Sequence, residues 1–269
     1  MDFSVIIPAR YGSTRLPGKP LAEIAGKPMI VHVADRAAAS GAREVLVATD
    51  HAGIASAVRE HGYTAVMTSR RHRSGTDRIA EVVARRRYPA RRIVVNVQGD
   101  EPLIAPGLIR EVAALLVRAR GAGMATACTP IRDVRELLNP NVVKVVLDNA
   151  GDALYFSRAP IPYARDGMAG RRSTAVVRGL PAYRHLGLYA YRCDFLRRYT
   201  RLAPAAIERF ESLEQLRALA HGYRIKVAIT REAAHPGIDT PEDLERMRRG
   251  LHAAKRFLGR AKPAILSPP

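Results

Sequence analysis

From residue 3 to about residue 124, short apolar runs alternate with stretches of helical period, and that rhythm admits few folds. FSVIIPA (3–9), EVLVATD (44–50) and RIVVNVQGDEP (92–102) read as strands, with TAVMT a shorter one. Between and after them come PMIVHVADRAAASG, HAGIASAVREHG, GTDRIAEVVARRR and PGLIREVAALLVRARG, which space apolar residues as a helix with one buried face requires. Pro28 suits a first helical turn and Gly41 a C-cap. The alternation predicts a mostly parallel sheet with helices on both faces.

After residue 124 the rhythm changes. VVKVVLD (142–148), ALYFSRAPIP (153–162) and HLGLYAYR (185–192) read as strands with no long helix between them. A mixed or antiparallel element inserted over about 124–205 is expected. The chain then returns to helix, strand, helix in AIERFESLEQLRALAHG, RIKVAIT and TPEDLERMRRGLHAAKRFLG. Thr240 is the expected N-cap of the last helix, with Pro241 in its first turn and Asp243 completing a capping-box pattern. Glu211 and Gln215 lie four apart and are expected on one side of the first of these helices. The organisation predicted is one α/β domain over 1–250 and a basic, Pro-containing tail over 251–269.

An apolar fraction of 47% in 269 residues supports a full core. No run approaches the roughly 18 apolar residues of a membrane span, and MDFSVIIPAR lacks the regions of a signal peptide. A cytoplasmic protein is expected. Cys128 and Cys193 are the only cysteines and have no partner at metal-ligand spacing, so both read as reduced and structural. The formal net charge is +19, which raises the question of nucleic acid. The basic clusters at 70–73, 85–92 and 246–262 hold just two aromatics, Tyr88 and Phe257, and the chain has no Trp, so they read as solvated surface and nucleic acid is not the expected partner.

The chemistry gathers behind the strands. PARYGSTRLPGKPL follows the first strand and carries Arg10, Arg15 and Lys19, with no carboxylate between Asp2 and Glu23. In an open α/β sheet such a loop lies at the ligand-binding edge, where glycines admit a phosphate and cations neutralise it. The loop matches neither G-x-x-x-x-G-K-[ST] nor G-x-G-x-x-G, so it predicts a polyphosphate site of another kind. VNVQGDEP places Asp100 and Glu101 after a buried strand, and PGIDTPED places Asp239 before the last helix. Carboxylates at strand ends beside phosphate-binding cations suggest Mg²⁺.

IIPARYGSTRLPGKPL, VATDH, RSGTDR, VNVQGDEP, NPNVVKVVLD, YFSRAPIPY, RHLGLYAYR, LEQLRAL and GIDTPEDLERM occur in this order over about 3–249. Together they resemble the 3-deoxy-manno-octulosonate (Kdo) cytidylyltransferases. The resemblance implies a Rossmann-like nucleotide-sugar transferase core, an inserted dimerisation element, Mg²⁺, a homodimer, and the reaction CTP + Kdo → CMP-Kdo + diphosphate for lipopolysaccharide synthesis. By the same resemblance Arg10, Arg15 and Lys19 would bind the triphosphate, and Ser74, Gly75, Thr76 and Arg78 the cytidine. Asp100 and Asp239 would hold Mg²⁺, making Arg10, Lys19, Asp100 and Asp239 the catalytic set. Gln98, Arg158, His185, Tyr189, Glu211, Glu214 and Gln215 would line the sugar pocket. No side chain stands out as a nucleophile, which fits direct displacement at the α-phosphorus. The chain departs from the family pattern at Tyr163, in RRRYPARR, and in the length and charge of its tail.

Overall fold

Strand β1 (Phe3–Ala9) is buried along nearly its whole length, and its alternate residues feed two cores. The computed structural model describes the chain except residues 14, 73, 166–175, 177, 233–236 and 259–269, and only the backbone over 251–258. Phe3, Val5, Ile7 and Ala9 pack with helices α1 (Met29–Ala39) and α2 (Ala52–Glu60). Ile6 packs on the other face with Ile79, Val82 and Val83 of α3 (Gly75–Arg85). Each fully buried Val, Ile or Leu contributes about 1.5–3 kcal/mol, so both faces of this strand favour one register. A small hairpin, β2 (Glu23–Ile24) and β3 (Lys27–Pro28), leads into α1.

On one side β1 pairs in parallel with β4 (Glu44–Thr49), which pairs in turn with β5 (Thr64–Met67). On its other side β1 pairs in parallel with β6 (Ile93–Asn96). The chain therefore runs outward through β1, β4 and β5, then returns by α3 to the opposite flank of β1. The crevice between the carboxyl ends of β1 and β6 is the topological switch point, where such sheets bind ligands.

Helix α4 (Pro106–Arg118) covers the sheet and leads into β7 (Met124–Pro130). The small residues of MATACTP give this strand no strong apolar signal, and reading the sequence does not find it. After α5 (Val134–Leu138), the hairpin β8 (Lys144–Leu147) and β9 (Ala153–Ser157) joins the start of β10 (Tyr183–Arg192). β10 runs antiparallel between β6 and β7. Two strands of the expected insertion thus lie within the main sheet, and among the described residues the β8–β9 hairpin branches from it at β10.

Helix α6 (Cys193–Tyr199) packs on the face lined by α3. The single helix expected next is two, α7 (Ala206–Glu211) and α8 (Gln215–Ala220). Ser212 breaks it in the left-handed region, with φ 52°, and Leu213 turns into the core. Glu211 and Gln215 therefore do not share a helix face. β11 (Ile225–Ile229) pairs in parallel with β7 at the sheet edge. Helix α9 (Pro241–Leu258) closes the described chain with the expected capping box: Asp243 N–H donates to Thr240 Oγ1, and Thr240 N–H donates to Asp243 Oδ2.

Gly99 fixes how closely the β6 end approaches β1. A Cβ there would lie 2.9 Å from the Pro8 carbonyl oxygen, a backbone atom that cannot move without shifting β1. Gly99→Ala should lower stability by about 1–3 kcal/mol through overpacking. Urea denaturation should show a lower midpoint at unchanged slope, and an unchanged midpoint would refute the contact.

Candidate active site

The loop after β1 folds back on itself, with Ser13 and Gly18 N–H both donating to the Tyr11 carbonyl. This carries Lys19 back beneath the β6 end. Lys19 Nζ donates to Asp100 Oδ2 at 2.6 Å and to Asp239 Oδ1 at 3.0 Å. Arg15 reaches the other oxygen of Asp239, also at 3.0 Å. Burial opposes the charge on Lys19, but the two carboxylates more than offset it and raise its pKa. Arg10 has no carboxylate partner among the described residues and stands exposed at the β1 end.

These groups border a cleft of about 480 Å³ whose walls also carry Ser74, Gly75, Arg78, Gln98 and Glu214. Ser74 caps α3 by accepting from Asp77 N–H at 3.1 Å, so the helix start points at the cleft. The structure thus brings together Arg10, Arg15, Lys19, Ser74, Gly75, Arg78, Gln98, Asp100, Asp239 and Glu214. Thr76 sits behind this wall and donates its hydroxyl to Glu214 Oε2 at 3.0 Å. Burial raises the pKa of Glu214.

The remaining expected sugar residues lie outside this lining, around the start of β10. Gln98 Nε2 donates to the Gly187 carbonyl at 3.3 Å and links the two regions. His185 is enclosed, with Nε2 2.9 Å from Thr126 Oγ1 and Phe156 packed edge-on against the ring. Its burial lowers its pKa to about 3, so the ring stays neutral. Tyr189 packs beside it, and burial drives its phenol well above the ordinary value. Gln215 Nε2 is buried without a hydrogen-bond partner. Arg158 Nε donates to the Glu211 carbonyl and its NH1 to the Pro140 carbonyl. The Glu211 carboxylate accepts from Ser157 Oγ and Arg158 N–H, so it braces β9.

Two contributors escape the sequence reading. His72 lines the cleft and hydrogen-bonds Glu81 through Nε2. Asp50, at the β4 end, accepts from the buried guanidinium of Arg78. Both lie in segments that sequence reading does single out, before SGTDR and within VATDH, but their contacts depend on how α3 packs: His72 meets Glu81 on that helix and Asp50 meets Arg78. Cys128 and Cys193 are buried and unpaired, as expected.

No cluster of three or more His, Cys, Asp or Glu side chains able to hold a metal occurs among the described residues. Two carboxylates converging on one ammonium still suit Mg²⁺, which is held by one or two protein carboxylates together with substrate phosphates.

A family model described as "Cytidylyltransferase" matches residues 4–226, which defines the class. A 3-deoxy-manno-octulosonate cytidylyltransferase from Polynucleobacter necessarius is 55% identical over 93% of this chain and 96% of that protein. One from Idiomarina loihiensis is 56% identical over 93% and 98%. A solved CMP:2-keto-3-deoxy-manno-octonic acid synthetase complexed with CTP superposes with TM-score 0.83 at 43% identity, over 94% of this chain and 99% of that one. The chain belongs to the 3-deoxy-manno-octulosonate cytidylyltransferase family.

Glu101, next to Asp100 and largely enclosed, has its carboxyl pushed up to about 8, by burial first and the Asp100 charge second. The folded chain then keeps a proton that the unfolded chain has lost. The associated stability is full below the ordinary Glu value and is lost as pH rises through about 8. Glu101→Gln stays neutral throughout. In chelator, urea midpoints of wild type and variant should agree at about pH 4 and diverge up to about pH 8, the variant ending the more stable. Parallel profiles would show that Glu101 titrates normally.

Proposed function

We propose that the chain transfers the cytidylyl group of CTP to 3-deoxy-manno-octulosonate, releasing diphosphate and serving lipopolysaccharide synthesis. The observation that carries this reading is the convergence of Arg10, Arg15 and Lys19 with Asp100 and Asp239 in one cleft at the switch point. The names of the relatives supply the nucleotide and the sugar acid. The anomeric hydroxyl attacks the α-phosphorus, a new O–P bond forms, and the bond to the β-phosphate breaks.

Such a displacement needs alignment and charge neutralisation more than a covalent group. Arg10, Arg15 and Lys19 bind and neutralise the triphosphate. Ser74, Gly75, Thr76 and Arg78, at the start of α3, form the cytidine side. Asp100 and Asp239 would hold Mg²⁺, which would supply positive charge for the charge developing on the phosphate oxygens. On the acceptor side, Gln98, neutral His185, Tyr189, Glu214 and Gln215 face the sugar hydroxyls, and Gln215 keeps a buried donor for one of them. Arg158 retains N–H groups for the sugar carboxylate, and Glu211 holds it in place. We place this reaction in the cytoplasm, as the family resemblance implies.

Diphosphate release from CTP and Kdo with Mg²⁺ is the direct assay. Asp100→Asn should cut kcat by about a hundredfold or more, the scale of losing a group that stabilises transition-state charge, with thermal unfolding little changed. Lys19→Ala should raise KM for CTP more than KM for Kdo. Full turnover in excess chelator, or near-normal rates for Asp100→Asn and Asp239→Asn, would remove these carboxylates from a metal site.

We also propose a homodimer. Ile207 and Phe210 on α7 and Leu154 on β9 are exposed, Phe210 at 92%, and the Ser157–Glu211 hydrogen bond joins these elements. Apolar side chains grouped this way suit a two-fold contact. Sedimentation equilibrium should give a dimer for wild type and a monomer for Phe210→Glu. A monomeric, fully active wild type would sink the proposal.

A further inference from the structure

The VATDH segment has no place in the chemistry above, since neither Asp50 nor His51 lines the cleft. Each nevertheless grips one of the loops that do. Asp50 Oδ2 accepts from Arg78 NH2 at 2.7 Å, and the two side chains are only 16% and 4% exposed. Arg78 NH1 donates to Thr68 Oγ1, which ties the same guanidinium to the end of β5. The first turn of α3, and with it Ser74 and Gly75, is thereby held to the β4 end.

His51 faces the other way. Its ring stacks on Tyr11 with centroids 4.1 Å apart and planes 16° from parallel. Tyr11 is the hub of the cationic loop. Its carbonyl accepts from Ser13 and Gly18, and its ring lies 3.4 Å from where a Gly18 Cβ would stand. Gly18 has φ 68°, so the turn that delivers Lys19 closes over this ring. His51 Nδ1 is buried and makes no hydrogen bond. The imidazole therefore acts here as a flat surface rather than as a donor or acceptor through that atom.

We propose that Asp50 and His51 are positioning residues that lock the two nucleotide-binding loops to one strand end, Asp50 through Arg78 on the nucleoside side and His51 through Tyr11 on the phosphate side. This rests on the nucleotide reading of the cleft. It makes the adjacent residues separable: losing the Asp50 contact misplaces the α3 start, whereas losing the stack loosens only the loop that carries Arg10, Arg15 and Lys19.

Calorimetric titration of the full chain with CMP, CDP and CTP in Mg²⁺ distinguishes them. Asp50→Asn should weaken all three by the same factor, about tenfold or more, the scale of a lost charge-assisted hydrogen bond. His51→Ala and Tyr11→Ala should cost little for CMP and increasingly more for CDP and CTP, reaching about three- to tenfold, the scale of an aromatic pair. His51→Phe should restore CTP binding, because the stack survives and no bond made by Nδ1 is lost. Should Asp50→Asn fail to fold, Asp50→Glu, which keeps the charge but lengthens the arm, takes its place with the same expectation.

Equal losses for all three nucleotides in His51→Ala, no rescue by Phe, or unchanged binding in these variants would overturn the positioning roles while leaving the nucleotide reading intact. A wild-type chain that bound no cytidine nucleotide would overturn that reading and this inference with it.

Discussion

An ammonium held between two carboxylates ties together three segments that are remote in sequence. Lys19 comes from the loop after β1, Asp100 from the loop after β6, and Asp239 from the turn before α9. Each segment alone would carry a charge with a cost of burial. Together they offset one another, and their meeting point sets how the switch-point crevice closes. The arrangement holds opposite charges in a mutual grip, and on the function proposed above a divalent cation would take over the carboxylates while the phosphates took over the ammonium.

The large basic excess is tolerated in part because many cations bond to carbonyls rather than to acids. Arg192 donates to the carbonyls of Leu116, Ala119 and Ala122 around the carboxyl end of α4. Arg36 and Arg110 reach the carbonyls of Ile104 and Ser40. Lys144, fully buried, donates to those of Asn139, Val142 and Arg158, and burial lowers its pKa. Helix ends leave carbonyls unpaired, and their partial negative charge favours a nearby cation. A count of formal charges misses this, because the acceptors are backbone atoms.

Sequence reading recovers what is encoded locally. The β1–α1–β4–α2–β5–α3–β6 run is legible because each element carries its own period and strands buried on both faces are strongly apolar. The cations of the opening loop, Asp100 and Asp239 are legible because a strand end fixes where they emerge. β7 is not, since its Ala and Thr residues are buried by larger neighbours rather than by their own hydrophobicity. The break at Ser212 is not, because the helical pattern continues on both sides and tertiary packing of Leu213 decides the matter. Nor are the contacts of Asp50 and His72, since Asp50 meets Arg78 across α2 and β5 and His72 meets Glu81 only through the way α3 packs.

β10 has a consequence for how such a protein can diversify. An antiparallel strand set among parallel ones begins where its neighbours end, so Tyr183–Leu188 arrive at the same rim as Gln98 and Asp100. Among the described residues, the chain that feeds it, from β7 through the β8–β9 hairpin, joins the sheet at its two ends and through that hairpin. Residues on this segment can be exchanged, lengthened or trimmed while β1, β4 and β6 keep their register. Of the acceptor side proposed above, Arg158, His185 and Tyr189 therefore ride on one contiguous, exchangeable stretch, while Gln98, Glu211, Glu214 and Gln215 belong to the frame around it.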